Sequence, residues 1–366
     1  MNGLAISPEV RRLLPIISRI GLAVSVLTLL VSMPQLIDQG GGFEVVFGNI
    51  AKFGWTLALL LLVFASTRTI GAQALVGAAL AGFFAVSSLT VMAGRPFVLW
   101  LGTDNLFVPV LFAPVTEELF KLAPVAMFLL LAARNNQQRP SVSDAVLFGV
   151  AVAAGFTVYE NILYARGTDG GWLTTLPLSA LLPFLTTHGP MLVGTHIVYT
   201  GLASLALGAT IMYRHRFPAL RFALPLALII TIVEHATVNR LTAPGALDSP
   251  PLWVRMTLAI TLGGHLSTLL FLAGAITIAF YETRLLKRGG SSLPPALAWK
   301  DVLTGIRSSP KLASLMQLHR RLRYESMRRS TILAVAQTGG VAPTTDAKAA
   351  VASLHVNTGL AIRVVT

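Results

Sequence analysis

Residues 106–132 read LFVPVLFAPVTEELFKLAPVAMFLLLA, an apolar run that carries Glu117, Glu118 and Lys121 near its centre. A spanning helix needs about 20 predominantly apolar residues at a rise of 1.5 Å each, and this run is long enough. Its three charges demand an explanation, because an ionisable side chain inside a bilayer costs several kcal/mol. Either they neutralise one another as a structural ion pair or they do chemistry.

Working outward, seven more stretches have spanning length: 16–36, 47–66, 70–93, 143–165, 190–212, 219–241 and 256–281. Composition agrees, since 54% of the 366 residues are hydrophobic and only 12% charged, against roughly 25% charged in soluble domains. The predicted fold class is an all-α polytopic membrane protein, a bundle of about eight transmembrane helices with a basic cytoplasmic C-terminal tail. A shorter apolar run, Trp172 to Thr186, reads as an interfacial or re-entrant segment of an external loop, where it could gate substrate entry.

The net charge of +13 is concentrated: residues 283–366 hold 13 of the 28 Lys and Arg but only Asp301, Glu325 and Asp346 as acids. Beside apolar spans, such a tail faces a cytoplasmic lipid surface rather than nucleic acid. Lys311 to Met327 places Leu312, Leu315, Met316 and Leu322 near one helical face among basic residues, the pattern of a surface helix on anionic lipid. Cytoplasmic loops collect Lys and Arg. Only Arg95, Arg166, Arg240 and Arg255 fall in outer loops when both termini are cytoplasmic, so the chain is expected to be an integral cell-membrane protein in that orientation. The first span follows a charged start, Glu9 to Arg12, without a clear cleavage site, and is expected to stay as an anchor.

With no cysteine, disulfides, thiolate-bound metals and thiol nucleophiles drop out, and any metal must use His, Asp or Glu. The remaining polar groups inside spans are Glu160 and Asn161, His196, and Glu234, His235 and Asn239. Successive spans run in opposite directions, which brings Glu117, Glu160, His196 and His235 to one level, roughly 8 to 16 Å below the outer edge of a ~30 Å core. Glu117 and Lys121, like His235 and Asn239, are four apart and share a helical face, whereas Glu118 points about 100° away from Glu117. A Glu can deprotonate water, two His with a carboxylate can hold zinc, and Asn can donate to a developing oxyanion. That chemistry is hydrolysis.

These residues resemble those of the PrsW family of intramembrane proteases, within the group that also holds the CAAX prenyl proteases and Abi proteins. The resemblance rests on Glu117, Glu118 and Lys121, on the run Gly155, Phe156, Glu160, Asn161, on His196 with Gly201, and on His235 with Asn239. It covers roughly Val110 to Arg240. It implies a multispan peptidase that cleaves a membrane-protein substrate, such as an anti-sigma factor or another single-span protein, near the outer face. Glu117 or Glu118 would activate water, Glu160, His196 and His235 would line the centre or hold a divalent metal such as zinc, and Asn239 would steady the oxyanion. Zinc and a metal-free glutamate mechanism both remain open. The chain then divides into three spans at 1–105, a catalytic core at 106–241, a last span at 242–282 and the tail at 283–366.

Two other classes use the same residues. A proton- or ion-coupled transporter could employ the buried acids and imidazoles as a relay, and a non-catalytic scaffold could use them as interhelical clasps. His188, eight residues before His196, competes with it for the site, but the Gly five residues after His196 favours the latter. His265 reads as structural, and Glu234 as facing headgroups or another helix.

Overall fold

A computed structural model describes residues 42–102, 105–133, 140–163, 195–242, 250–289, 311–337 and 351–352, with scattered positions between 23 and 38. Every regular element among the described residues is helical, as lipid requires of a single chain that must satisfy its backbone groups internally. The elements are α1 (Phe43–Val63), α2 (Ala72–Leu101), α3 (Ala113–Ala133), α4 (Val142–Leu163), α5 (His196–Tyr213), α6 (Ala223–Thr242), α7 (Leu252–Ile260), α8 (Leu266–Gly289) and α9 (Lys311–Gln337). Among the described residues, six segments are long and apolar enough to cross a membrane: α1, α2, α4, α5, α6 with its leading turn Pro218–Phe222, and α8. Helix α3 matches them in length but carries Glu117, Glu118 and Lys121. The predicted span at 16–36 lies mostly outside the described residues, as do the Trp172–Thr186 segment and His188.

Helix α4 is the axis of the bundle. It packs against α1, α2, α3, α5 and α8, and its Ala, Gly and Val side chains are almost all buried. Small residues let backbones approach closely, which is how helices associate where lipid removes the hydrophobic drive. A Cβ on Gly155 would sit 1.8 Å from the carbonyl oxygen of Ala79, and one on Gly82 would sit 1.9 Å from that of Val152. The two glycines thus face reciprocal contacts across α2 and α4. Helix α2 turns π-helical over Ala81–Val86 at this crossing.

One predicted boundary needs correction. Residues 256–281 form no single span: α7 stops at Ile260, and α8 starts at Leu266. Between them Leu262, Gly263 and Gly264 have φ of 55°, 76° and 89°, left-handed values that no α-helix accommodates. Glu234 of α6 caps the restart: Ser267 donates to it through its backbone N, at 3.2 Å, and through its hydroxyl. Of the two sequence alternatives for Glu234, another helix is the one realised.

The tail helix has a docked face as well; of the four apolar residues expected on lipid, Leu312, Leu315 and Met316 have side chains outside the described set. In α9 the buried face includes Tyr324, Glu325, Arg328 and Leu333, while Leu322 is 39% exposed. The helix packs on α8. The Ser326 hydroxyl donates to the Thr69 carbonyl, and Arg329 Nη1 donates to Ala65 O at 2.7 Å. The guanidinium thus meets carbonyls of the turn that follows α1, near the negative end of its dipole.

Close to the α9 contacts lies a set of acids that the sequence reading passed over. Glu282 of α8 is fully buried and accepts from the N–H of Val142 at 2.7 Å, the N–H and hydroxyl of Ser143 at 3.3 and 2.5 Å, and the Tyr213 hydroxyl at 3.3 Å. Asp144 accepts from the N–H groups of Thr69, Ile70 and Ser141 and from the Thr69 hydroxyl, at 2.6–3.0 Å. Both acids meet orphan amides at the N-terminal end of α4, where negative charge is stabilised.

Candidate active site

The other end of α4 holds a second polar cluster, built from four helices. Helix α3 supplies Glu117, Glu118 and Lys121, α4 supplies Phe156 and Glu160, α5 supplies His196, Tyr199 and Thr200, and α6 supplies His235. His196 is the first residue of its helix, after Thr195. It was expected a turn and a half inside a helix beginning at Pro190, a position outside the described residues. Starting at His196, α5 brings the positive end of its dipole to this acid-rich cluster.

The partners define the tautomers. Lys121 Nζ, which as an ammonium only donates, lies 2.7 Å from His196 Nδ1, so Nδ1 accepts. His196 Nε2 then carries the proton and donates to Glu160 Oε2 at 2.6 Å. His235 Nδ1 is 3.2 Å from Glu118 Oε1; a carboxylate only accepts, so Nδ1 is the donor. In the neutral imidazole this leaves Nε2 as a bare acceptor, 3.6 Å from Glu117 Oε2. Each imidazole is therefore oriented by a carboxylate through one nitrogen and turns the other toward Glu117. Carboxylate–histidine pairs of this kind orient ligands in metal centres.

The two adjacent glutamates are not equivalent. Glu118, 1% exposed, accepts from Lys121 at 2.7 Å, from His235 and from Thr200 Oγ1 at 3.4 Å. Glu117 Oε2 is buried and has no hydrogen-bond partner; Lys121 Nζ, His235 Nε2 and His196 Nδ1 stand off at 3.8, 3.6 and 4.0 Å. An acceptor facing another acceptor at 3.6 Å calls for a cation, a proton or a water between them, because buried polar atoms are rarely left unsatisfied.

The residues present fit a metal ion. Glu117, His196 and His235 each offer a donor atom within 4.8 Å of the others. A tetrahedral ion with bonds of about 2.1 Å spaces its ligand atoms about 3.4 Å apart, so the 3.6 and 4.0 Å separations at Glu117 Oε2 are close to that spacing, while the set as a whole, which spans up to 4.8 Å, would contract around an ion. Charge points the same way. Glu117, Glu118 and Glu160 against Lys121, with neutral imidazoles, leave a formal deficit that a divalent cation would cancel.

The flanking residues of the motifs acquire physical roles. The Phe156 ring lies 4.6 Å from Lys121 Nζ and meets the edge of His196 at 5.2 Å, a cation–π seat for the lysine. A Cβ on Gly201 would come within 2.7 Å of the Phe271 ring, so glycine there lets α8 close on α5. Asn161 turns away from the cluster and donates to Asn49 Oδ1 at 2.7 Å, tying α4 to α1. Asn239 also sits outside the network, its Nδ2 donating 2.7 Å to Pro109 O in the π-helical turn before α3. Tyr199, which sequence reasoning missed, stacks on His235 with centroids 5.6 Å apart. Its place one turn after His196 was the available signal.

Fold and site together define a class: a multi-pass membrane protein whose spanning helices bury a metal-competent centre of glutamates and histidines. The chain belongs to the PrsW family of intramembrane metalloproteases, whose family model matches residues 71–278. No curated protein and no solved structure matches it. Membership implies peptidase activity on membrane substrates, and the matched region contains every residue of the cluster. It favours neither the transporter nor the scaffold reading.

Proposed function

We propose that this protein is an endopeptidase that hydrolyses a peptide bond of a single-span membrane-protein substrate, an anti-sigma factor being one such class, in the outer half of the bilayer. The outer placement rests on the sequence expectation of eight spans with both termini cytoplasmic, the orientation that the Lys and Arg distribution favours. The observation that carries the reading is Glu117 Oε2, a buried carboxylate oxygen without a partner, facing the bare nitrogen of an imidazole that Glu118 holds in place.

Glu117 accepts the proton of the attacking water, and His235 orients that water through Nε2. Glu118 and Glu160 keep the two imidazoles in the required tautomers. Lys121 offsets the negative charge that would otherwise make two adjacent buried acids prohibitively expensive. Asn239, with one amide hydrogen on Pro109, has a second to offer the oxyanion. In the metal-dependent alternative, Glu117, His196 and His235 would instead hold a divalent metal, which would polarise the scissile carbonyl and acidify its bound water, with Glu117 Oε2 and His235 Nε2 as ligands rather than direct partners of a free water. A helical substrate must unwind before its carbonyl can be attacked.

The test is cleavage of a reconstituted single-span substrate by wild type and by Glu117→Gln. General-base catalysis is worth about 10²–10⁴-fold, and a loss of that size is expected from a correctly folded variant. Cleavage at the wild-type rate would overturn the assignment.

A further inference from the structure

His196 Nδ1 has two competing claims on it. It is the nitrogen that approaches Glu117 Oε2, at 4.0 Å, and so the one that would complete a three-donor set with Glu117 and His235. It is also the nitrogen that accepts from Lys121 Nζ at 2.7 Å. One lone pair cannot serve an ammonium and a metal ion together. Lys121 is fully buried, and its Nζ lies 2.7 Å from Glu118 Oε1 and 3.8 Å from Glu117 Oε2. The ammonium thus already occupies the positive pole of the site.

We infer that Lys121 is a resident cation that competes with the divalent metal for His196 Nδ1, so that metal binding requires the ammonium to withdraw from that nitrogen. The inference rests on the metal-centre reading above. The structure supplies a place for the withdrawn group: the Glu118 carboxylate at 2.7 Å and the face of Phe156 at 4.6 Å together can hold it without His196. A fixed positive charge beside a cation site repels an incoming ion, strongly so at low effective dielectric. The lysine therefore sets the threshold of metal occupancy. It keeps the acids balanced when no ion is bound and weakens the affinity for one.

The experiment uses full-length protein in detergent, stripped with chelator and titrated with Co²⁺ at one fixed pH. Binding is followed by visible absorption of the coordinated ion and by competition with a chelating indicator. Lys121→Met removes the competitor while keeping the volume, and is expected to bind Co²⁺ at least about ten-fold tighter than wild type. Lys121→Arg keeps the charge and should not gain that affinity, whereas His235→Ala should abolish binding. Lys121→Gln replaces the Met variant if the latter fails to fold, with the same expectation. Equal or weaker binding by the neutral variants, with His235→Ala still abolishing it, overturns the competition and leaves the metal centre standing. No binding by any form overturns both.

Discussion

Two groups of buried carboxylates sit at opposite ends of α4, with Asp144 and Glu160 separated by 16 positions and therefore about 24 Å. Glu282 and Asp144 direct their oxygens to backbone amides and hydroxyls at helix N-termini, and these bonds join α8 and the α1–α2 loop to the start of α4. Glu117, Glu118 and Glu160 instead face two imidazoles and a lysine, and Glu117 Oε2 is left without a hydrogen-bond partner. The difference separates two uses of a costly group. An acid whose acceptors are filled by amides stabilises the fold, while acids and bases converging on one unpartnered carboxylate oxygen make an arrangement suited to chemistry.

The sharpest way to break this contrast is His235→Ala, which removes the bare Nε2 and frees Glu118 from one donor. Cleavage should fall about 10³-fold, far beyond any loss of folded protein, as read by a substrate assay beside a thermal melt. A fall in stability that accounts for the lost activity would make the two ends alike.

Next in size is Gly155→Ala. The new methyl meets a carbonyl oxygen at 1.8 Å, and overpacking of this kind costs about 1–3 kcal/mol. Because Gly155 and Phe156 hold the α2–α4 crossing one turn below Glu160, the melt should drop and cleavage per folded molecule should drop with it. Asn161→Ala gives the smallest effect. It deletes one interhelical hydrogen bond to Asn49, worth about 0.6–1.7 kcal/mol in membrane proteins, and should lower the melt while leaving most of the catalytic rate.

Much of this was legible beforehand. Spans betray themselves by length and composition, and charges inside them stand out, so Glu117, Glu118, Glu160, His196 and His235 were identifiable and their common level followed from helix direction. The 100° offset between Glu117 and Glu118 also foreshadowed their division into a free and a committed carboxylate. What stayed hidden depends on partners distant in the chain. Glu282 lies just past the end of an apolar run, where nothing in the sequence singles it out; its partners Val142 and Ser143 are some 140 residues away. The break after Ile260 was signalled only by the pair Gly263–Gly264 inside a run that otherwise reads as continuous. Asn239 shares a face with His235 as its spacing predicts, yet its amide serves Pro109, and no spacing rule locates that carbonyl. Among the described side chains of α9, the buried ones run from Arg321 to Leu333, extending beyond the end of the window that reads as amphipathic.

The most direct test of the contrast compares Glu117→Gln with Glu282→Gln in one series, reading substrate cleavage and thermal unfolding on the same preparations. Glu117→Gln is predicted to lose cleavage while unfolding at or above the wild-type temperature. Glu282→Gln is predicted to lose about 1–3 kcal/mol of stability while its folded fraction still cleaves. Normal cleavage by Glu117→Gln, or a loss of stability there as large as at Glu282, would contradict the assignment of the Glu117 end as the catalytic one.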